Sequence, residues 1–147
     1  ENIKFNNITD VIFIENRTNY YDYILNQKEN EFVIFHGGFY SPQKAKLFRK
    51  LIKAVDDNIK VYFWGDIDLG GFNMFVRLKE NIIPNLQPLN MGLEEYKKYL
   101  YSGLEKNEDY LGILKGLLND EKYGPFYDVI ENIILNRKTI EQENFLI

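Results

Sequence analysis

The chain has 147 residues, enough for one domain with its own hydrophobic core. It contains no cysteine and a single histidine, which excludes disulfides, zinc–thiolate sites, cysteine nucleophiles and multi-histidine metal sites, so any metal must be held by oxygen, as magnesium, manganese or calcium are. The net charge of −4 argues against strong DNA binding by the chain as a whole, because lysine and arginine supply most non-specific affinity for phosphate.

Charge is unevenly spread. From Gly37 to Lys60 the chain carries Lys44, Lys46, Arg49, Lys50, Lys53 and Lys60 against only Asp56 and Asp57, a local basic excess in an acidic sequence. No apolar run approaches the roughly 18 residues that cross a membrane, and no signal peptide is visible, so a cytoplasmic location is expected. The opening on Glu1 directly before structured-looking sequence reads as the C-terminal fragment of a longer protein.

Ile8 to Ile14 (ITDVIFI) reads as a buried strand and Arg17 to Gln27 as a tyrosine-rich helix. Phe32 to Phe35 (FVIF) is a second strand, ending in the turn His36-Gly37-Gly38. Ser41-Pro42 then has the form of an N-cap followed by proline at the first helical position. In the next helix Leu47, Phe48, Leu51, Ile52 and Val55 make an apolar face, with Lys46, Arg49, Lys50 and Lys53 opposite. Lys60 to Trp64 (KVYFW) is a third strand, running into Gly65-Asp66-Ile67-Asp68-Leu69-Gly70-Gly71. A helix from Phe72 to about Glu80 and a weaker strand from Leu86 to Leu89 follow. Strands alternating with helices of this length predict a parallel sheet covered on both faces. From Gly92 the pattern is purely helical: Leu93 to Leu100, Tyr110 to Leu118, and Tyr127 to about Phe145, with Tyr123-Gly124-Pro125 as a break. One domain over 1–147 is expected, with a βα core at 8–91 and a helical extension at 92–147.

Open parallel α/β sheets bind ligands beyond the carboxyl ends of their strands. Glu15 follows strand one, Gly37-Gly38 strand two, and Asp66 with Asp68 strand three. If strands one and three are neighbours, these carboxylates meet at one edge and repel one another unless a divalent cation neutralises them. Hard oxygen donors suit magnesium, with manganese as an alternative. Each feature also has a plainer use: a strand-end Glu as a solvated turn residue, Asp-x-Asp as a helix N-cap with a first-turn charge, and paired glycines as a tight turn. The Gly37-Gly38 amides and Lys44 are candidates for holding DNA phosphate, aided by the lysine and arginine stripe of the following helix. His36 reads as a strand-end residue and not as a catalyst. A phosphohydrolase or phosphoacceptor domain also clusters aspartates at strand ends, but places its key Asp after strand one, where Glu15 stands here. A non-catalytic interaction domain with a residual acidic edge is the other alternative.

These residues resemble a TOPRIM domain, whose signature is Glu after the first strand and Asp-x-Asp after the third. The similarity is more specific to the C-terminal domain family of Wadjet JetD proteins, itself similar to the TOPRIM domain of the topoisomerase VI A subunit. It rests on IENRTNY (Ile14 to Tyr20), FHGGF (Phe35 to Phe39), YFWGDIDLGGF (Tyr62 to Phe72), PLNM (Pro88 to Met91) and EQE (Glu141 to Glu143). The resemblance implies an α/β, Rossmann-like three-layer TOPRIM fold with a mainly parallel four-stranded sheet. It further implies a magnesium-dependent DNA endonuclease module of an anti-plasmid defence complex, acting on double-stranded DNA beside condensin-like subunits, with homodimerisation possible. Glu15, Asp66 and Asp68 would form its metal centre. Topoisomerase VI-type enzymes take a nucleophilic tyrosine from a separate winged-helix domain that this sequence does not contain, so the choice between tyrosine and water as nucleophile stays open.

Overall fold

The computed structural model describes residues 7–146; the remaining ends of the 1–147 span, residues 1–6 and 147, lie outside the described residues. Four strands form one sheet in the order β2-β1-β3-β4, all parallel: β1 (Asp10–Ile14), β2 (Glu31–Phe35), β3 (Lys60–Trp64) and β4 (Leu86–Pro88). Four of the five residues of β1 are buried, Val11 to Ile14, as a central strand covered on both faces requires. Strands one and three are neighbours, the condition on which the carboxylates meet: β1 lies between β2 and β3, with Ile14 opposite both Phe35 and Trp64.

Side-chain alternation assigns the two covering layers. On one face Phe13 packs edge-to-face on Phe48 of α2 (Pro42–Lys53), and Phe63 packs on Phe75 of α3 (Leu69–Asn81). On the other, Tyr23 of α1 (Arg17–Leu25) meets Trp64, and Trp64 meets Phe145 in the 3-10 turn Gln142–Leu146. The result is a three-layer, Rossmann-like α/β fold. The N-cap expected at Ser41 is present: its side-chain oxygen accepts from the Lys44 amide at 3.2 Å, with Pro42 opening α2. Ala45 and Phe48 face the core, while Lys46, Arg49, Lys50 and Lys53 are exposed.

The later half departs from the expected all-helical pattern. The helices α4 (Leu93–Tyr99), α5 (Glu108–Leu117) and α6 (Tyr127–Asn136) are present, but a short antiparallel pair, β5 (Leu104–Glu105) and β6 (Lys138–Thr139), ties the segments between them. The helix expected to run from Tyr127 to Phe145 stops at Asn136, where Arg137 takes a left-handed conformation (φ 61°). Beyond it the chain turns back toward the sheet, and Ile140 pairs with Ile67 in an antiparallel bridge. The helical segments pack on α3 through Phe126, whose ring lies 4.5 Å from Phe72 and 5.0 Å from Phe75.

Candidate metal centre at the sheet rim

The parallel register carries Glu15, Gly37 and the Asp66–Asp68 loop to the same end of the sheet. The Glu15 amide donates to the Trp64 carbonyl at 3.0 Å and the His36 amide to the Ile14 carbonyl at 2.8 Å, continuing both ladders one step past the strands. Glu15 and Asp66 then meet: the Asp66 amide donates to Glu15 Oε2 at 3.3 Å. Gly65 makes this approach possible, since a Cβ there would stand 2.6 Å from Glu15 Oε2. Gly71 is required more strictly, because its Cβ would overlap the Asp66 carbonyl oxygen.

Electrostatics follow from crowding half-buried carboxylates. Burial, then the charge of Asp66, raises the Glu15 carboxyl to about 7, with a smaller push in the same direction from Asp68 and only the Asp66 backbone hydrogen bond opposing it. Asp66 rises to about 6, again chiefly by burial, with Asp68, Glu141 and Glu143 adding repulsion against the bond from Gln142. Asp68 is raised by burial and partly relieved by the Gly71 amide and by Lys106. Each carboxylate has one oxygen held by a backbone N–H. Glu15 Oε2 takes the Asp66 amide, Asp66 Oδ1 the Gln142 amide at 2.6 Å, and Asp68 Oδ1 the Gly71 amide at 2.7 Å. Asp68 is thereby the N-cap of α3, so the plainer use foreseen for Asp-x-Asp is realised in this side chain. Among the described residues no three acidic or histidine side chains are gathered into a group that could already hold a metal ion.

The glycine turn also sits at the rim. Gly37 has φ +68°, and a Cβ there would approach Lys44 Nζ to 3.2 Å; a Cβ on Gly38 would meet nothing within 4 Å. Lys44 Nζ donates to the His36 carbonyl at 2.8 Å and lies over the Phe35 ring, which holds its charge beside the turn. His36 is 1% exposed, edge-on to Phe63 and stacked on Phe48; burial lowers its pKa to about 4, so it stays neutral. Its Nδ1 lies 3.0 Å from the Gly37 carbonyl, while Nε2 has no partner among the described residues.

Part of the rim comes from residues to which spacing gave no role. The stretch Glu141–Glu143 lies across the Asp66 loop, and Glu143 Oε1 accepts from Asn16 Nδ2 at 2.9 Å. Gln142 is fully enclosed and bonded to both β1 and β3 ends. Nothing in local pattern marks these residues; only the EQE similarity touched them.

With this geometry established, comparison with known proteins is decisive for the family: the profile described as Wadjet protein JetD, C-terminal matches residues 3–147. The chain belongs to the JetD C-terminal family. It is also similar to the Wadjet protein JetD of Bacillus cereus (strain Q1), with 31% identity over 134 residues, which is 90% of this chain and 32% of that protein. The chain thus spans about a third of the length of the curated relative it matches.

For this JetD C-terminal member the shifted groups predict an unusual acid limb in the absence of divalent cations. Glu15 and Asp66 have raised pKa values in the folded state, so the stability tied to their protonated forms is full below about 4 and is lost as pH rises through about 6 and 7. His36 acts oppositely: its pKa is depressed, so its contribution is full above about 6.5 and lost as pH falls toward about 4. Each group changes stability by at most about 1.4 kcal/mol per pH unit, less for the half-exposed carboxylates. Two descending slopes outweigh one ascending slope. Urea unfolding in chelator should therefore show stability falling from about pH 4.5 to 7; a rise over that interval would contradict the rim electrostatics.

Proposed function

We propose that this chain is a TOPRIM-like, magnesium-dependent DNA-cleaving module of a Wadjet-type anti-plasmid defence protein. The reading rests on one observation above the others: Glu15 and Asp66, from separate strands, share a hydrogen bond at the carboxyl rim of a parallel sheet, with Asp68 two residues on. The donor set fits a hard cation. It is all oxygen and mutually repelling, and Gly65 leaves room for the Glu15 carboxylate where a Cβ would intrude.

Asp66 and Asp68 would hold magnesium, or manganese, through the oxygens that their backbone bonds leave over; Glu15 would be a third ligand or a proton-exchanging group. When bound, the ion supplies Lewis acidity and charge neutralisation at a phosphodiester. The chain itself contributes orientation and charge placement. The Gly37 and Gly38 amides and the remaining Lys44 donors would receive a backbone phosphate beside the acidic rim. Glu15, with a carboxyl near 7 in the cation-free state, suits proton exchange with a leaving oxygen near neutral pH. The exposed cations of α2 would bear on flanking double-stranded DNA, offsetting the acidic balance of the rest. Condensin-like subunits, and a second copy of the chain, are the protein partners this reading calls for.

A different reading draws on the absence of an assembled metal-holding group among the described residues: an interaction domain with a residual acidic edge. A crystal soaked in manganese separates the two. Anomalous density between Glu15 and the aspartates is the expected result, and a rim without it at millimolar manganese favours the interaction domain.

A further inference from the structure

Gln142 is 1% exposed and uses its backbone and side chain together on the rim. Its backbone N–H donates to Asp66 Oδ1 at 2.6 Å and its Nε2 to the Trp64 carbonyl at 3.2 Å. Its Oε1 accepts from the Asn16 amide at 3.0 Å, and its own carbonyl accepts from Asn19 Nδ2 at 2.9 Å. The Trp64 carbonyl is the one that also receives the Glu15 amide, so one oxygen aligns both segments. Asn16 in turn caps α1 through its own side chain. A single residue therefore ties the rim together: its side-chain amide joins the end of β3 to the Asn16 amide between β1 and α1, and its backbone holds the Asp66 carboxylate and Asn19.

Such a bridge needs a donor and an acceptor on one short planar group, which glutamine provides and an apolar side chain of like length does not. Fixing Asp66 Oδ1 leaves Oδ2, which accepts no hydrogen bond among the described residues, as the oxygen for a ligand. Groups in this relation to a metal-binding carboxylate hold its rotamer and thereby its affinity.

We infer that Gln142 is a positioning residue that sets the rim's affinity for a divalent cation by clamping the Asp66 loop to the end of β3 and the start of α1. The inference rests on the metal-centre reading above and adds to it a residue that carries no charge and touches no ion.

The test is manganese binding by the whole protein, followed by electron paramagnetic resonance below the unfolding range, for wild type, Gln142→Leu and Phe126→Leu. Phe126 packs on Phe72 and Phe75 away from the rim, so its variant loosens the core without touching the clamp. Gln142→Leu should weaken manganese binding about ten- to a hundredfold, with Phe126→Leu at wild-type affinity despite a lowered Tm. Wild-type affinity in Gln142→Leu overturns the inference alone. Equal weakening in both variants also overturns it, as general loosening would then suffice. A wild-type protein that binds no manganese overturns the metal centre itself, and the clamp's role with it.

Discussion

Asp66→Asn in the whole protein should reduce DNA cleavage by two to three orders of magnitude while leaving the fold in place. The variant isolates charge. An asparagine carbonyl can still accept the Gln142 amide, whereas alanine would also strand that buried donor at a cost of about 1–3 kcal/mol. Without divalent cation the same variant should be more stable than wild type near pH 8. Burial first, and then Asp68, Glu141 and Glu143, disfavour the Asp66 anion, and the amide removes that penalty. Allowing for solvent screening, a gain of about 1–2 kcal/mol is expected. Cleavage and urea unfolding measured on one preparation check both halves. Wild-type cleavage would remove Asp66 from the centre, and a loss of stability would contradict the repulsion assigned to it.

Gly71→Ala is expected to give the largest loss of stability of any single methyl addition at the rim, about 3 kcal/mol or more. The added Cβ would collide with the Asp66 carbonyl oxygen and crowd the adjoining carbonyl carbon and amide nitrogen at 2.9 and 3.2 Å, and backbone cannot rotate aside as a flexible side chain does. Relief requires moving a loop whose Asp66 amide is bonded to Glu15 and whose Gly71 amide is bonded to Asp68. All three carboxylates would shift together. Gly112→Ala in α5 is the control: a Cβ there meets nothing within 4 Å, and alanine favours a helix over glycine. Should urea unfolding place Gly71→Ala and Gly112→Ala at the same stability, the close approach at Asp66 is wrong.

Much of the rim was legible before any coordinates. Apolar runs at Val11–Ile14 and Val61–Trp64 announce buried parallel strands, and ligand sites fall beyond such strands' carboxyl ends, which singles out Glu15 and the Asp66–Asp68 loop. The Ser41 cap and the polar face of α2 follow from local chemistry and are found in place. What stayed hidden depends on the path of the chain after α6. The left-handed residue that ends that helix is Arg137, not the glycine or asparagine usual there, and Asn136 before it stays helical, so the isoleucine spacing reads on as helix. With the turn unseen, the return of Ile140 to Ile67 and the seating of Gln142 could not be drawn from periodicity. Asp68 shows the other limit: a helix cap and a metal ligand present the same residue at the same place, and only the full set of neighbours distinguishes them.

The bridge between Ile67 and Ile140 has a bearing on how the protein is made. Domains generally begin to fold from the N-terminus as they emerge during synthesis. The strands that carry Glu15 and Asp66 leave the ribosome before the amide that steadies Asp66, which lies 76 positions downstream of it. A nascent chain therefore carries Asp66 unsteadied while those positions are made, and the rim takes its final form only when the stretch around Gln142 folds back onto it.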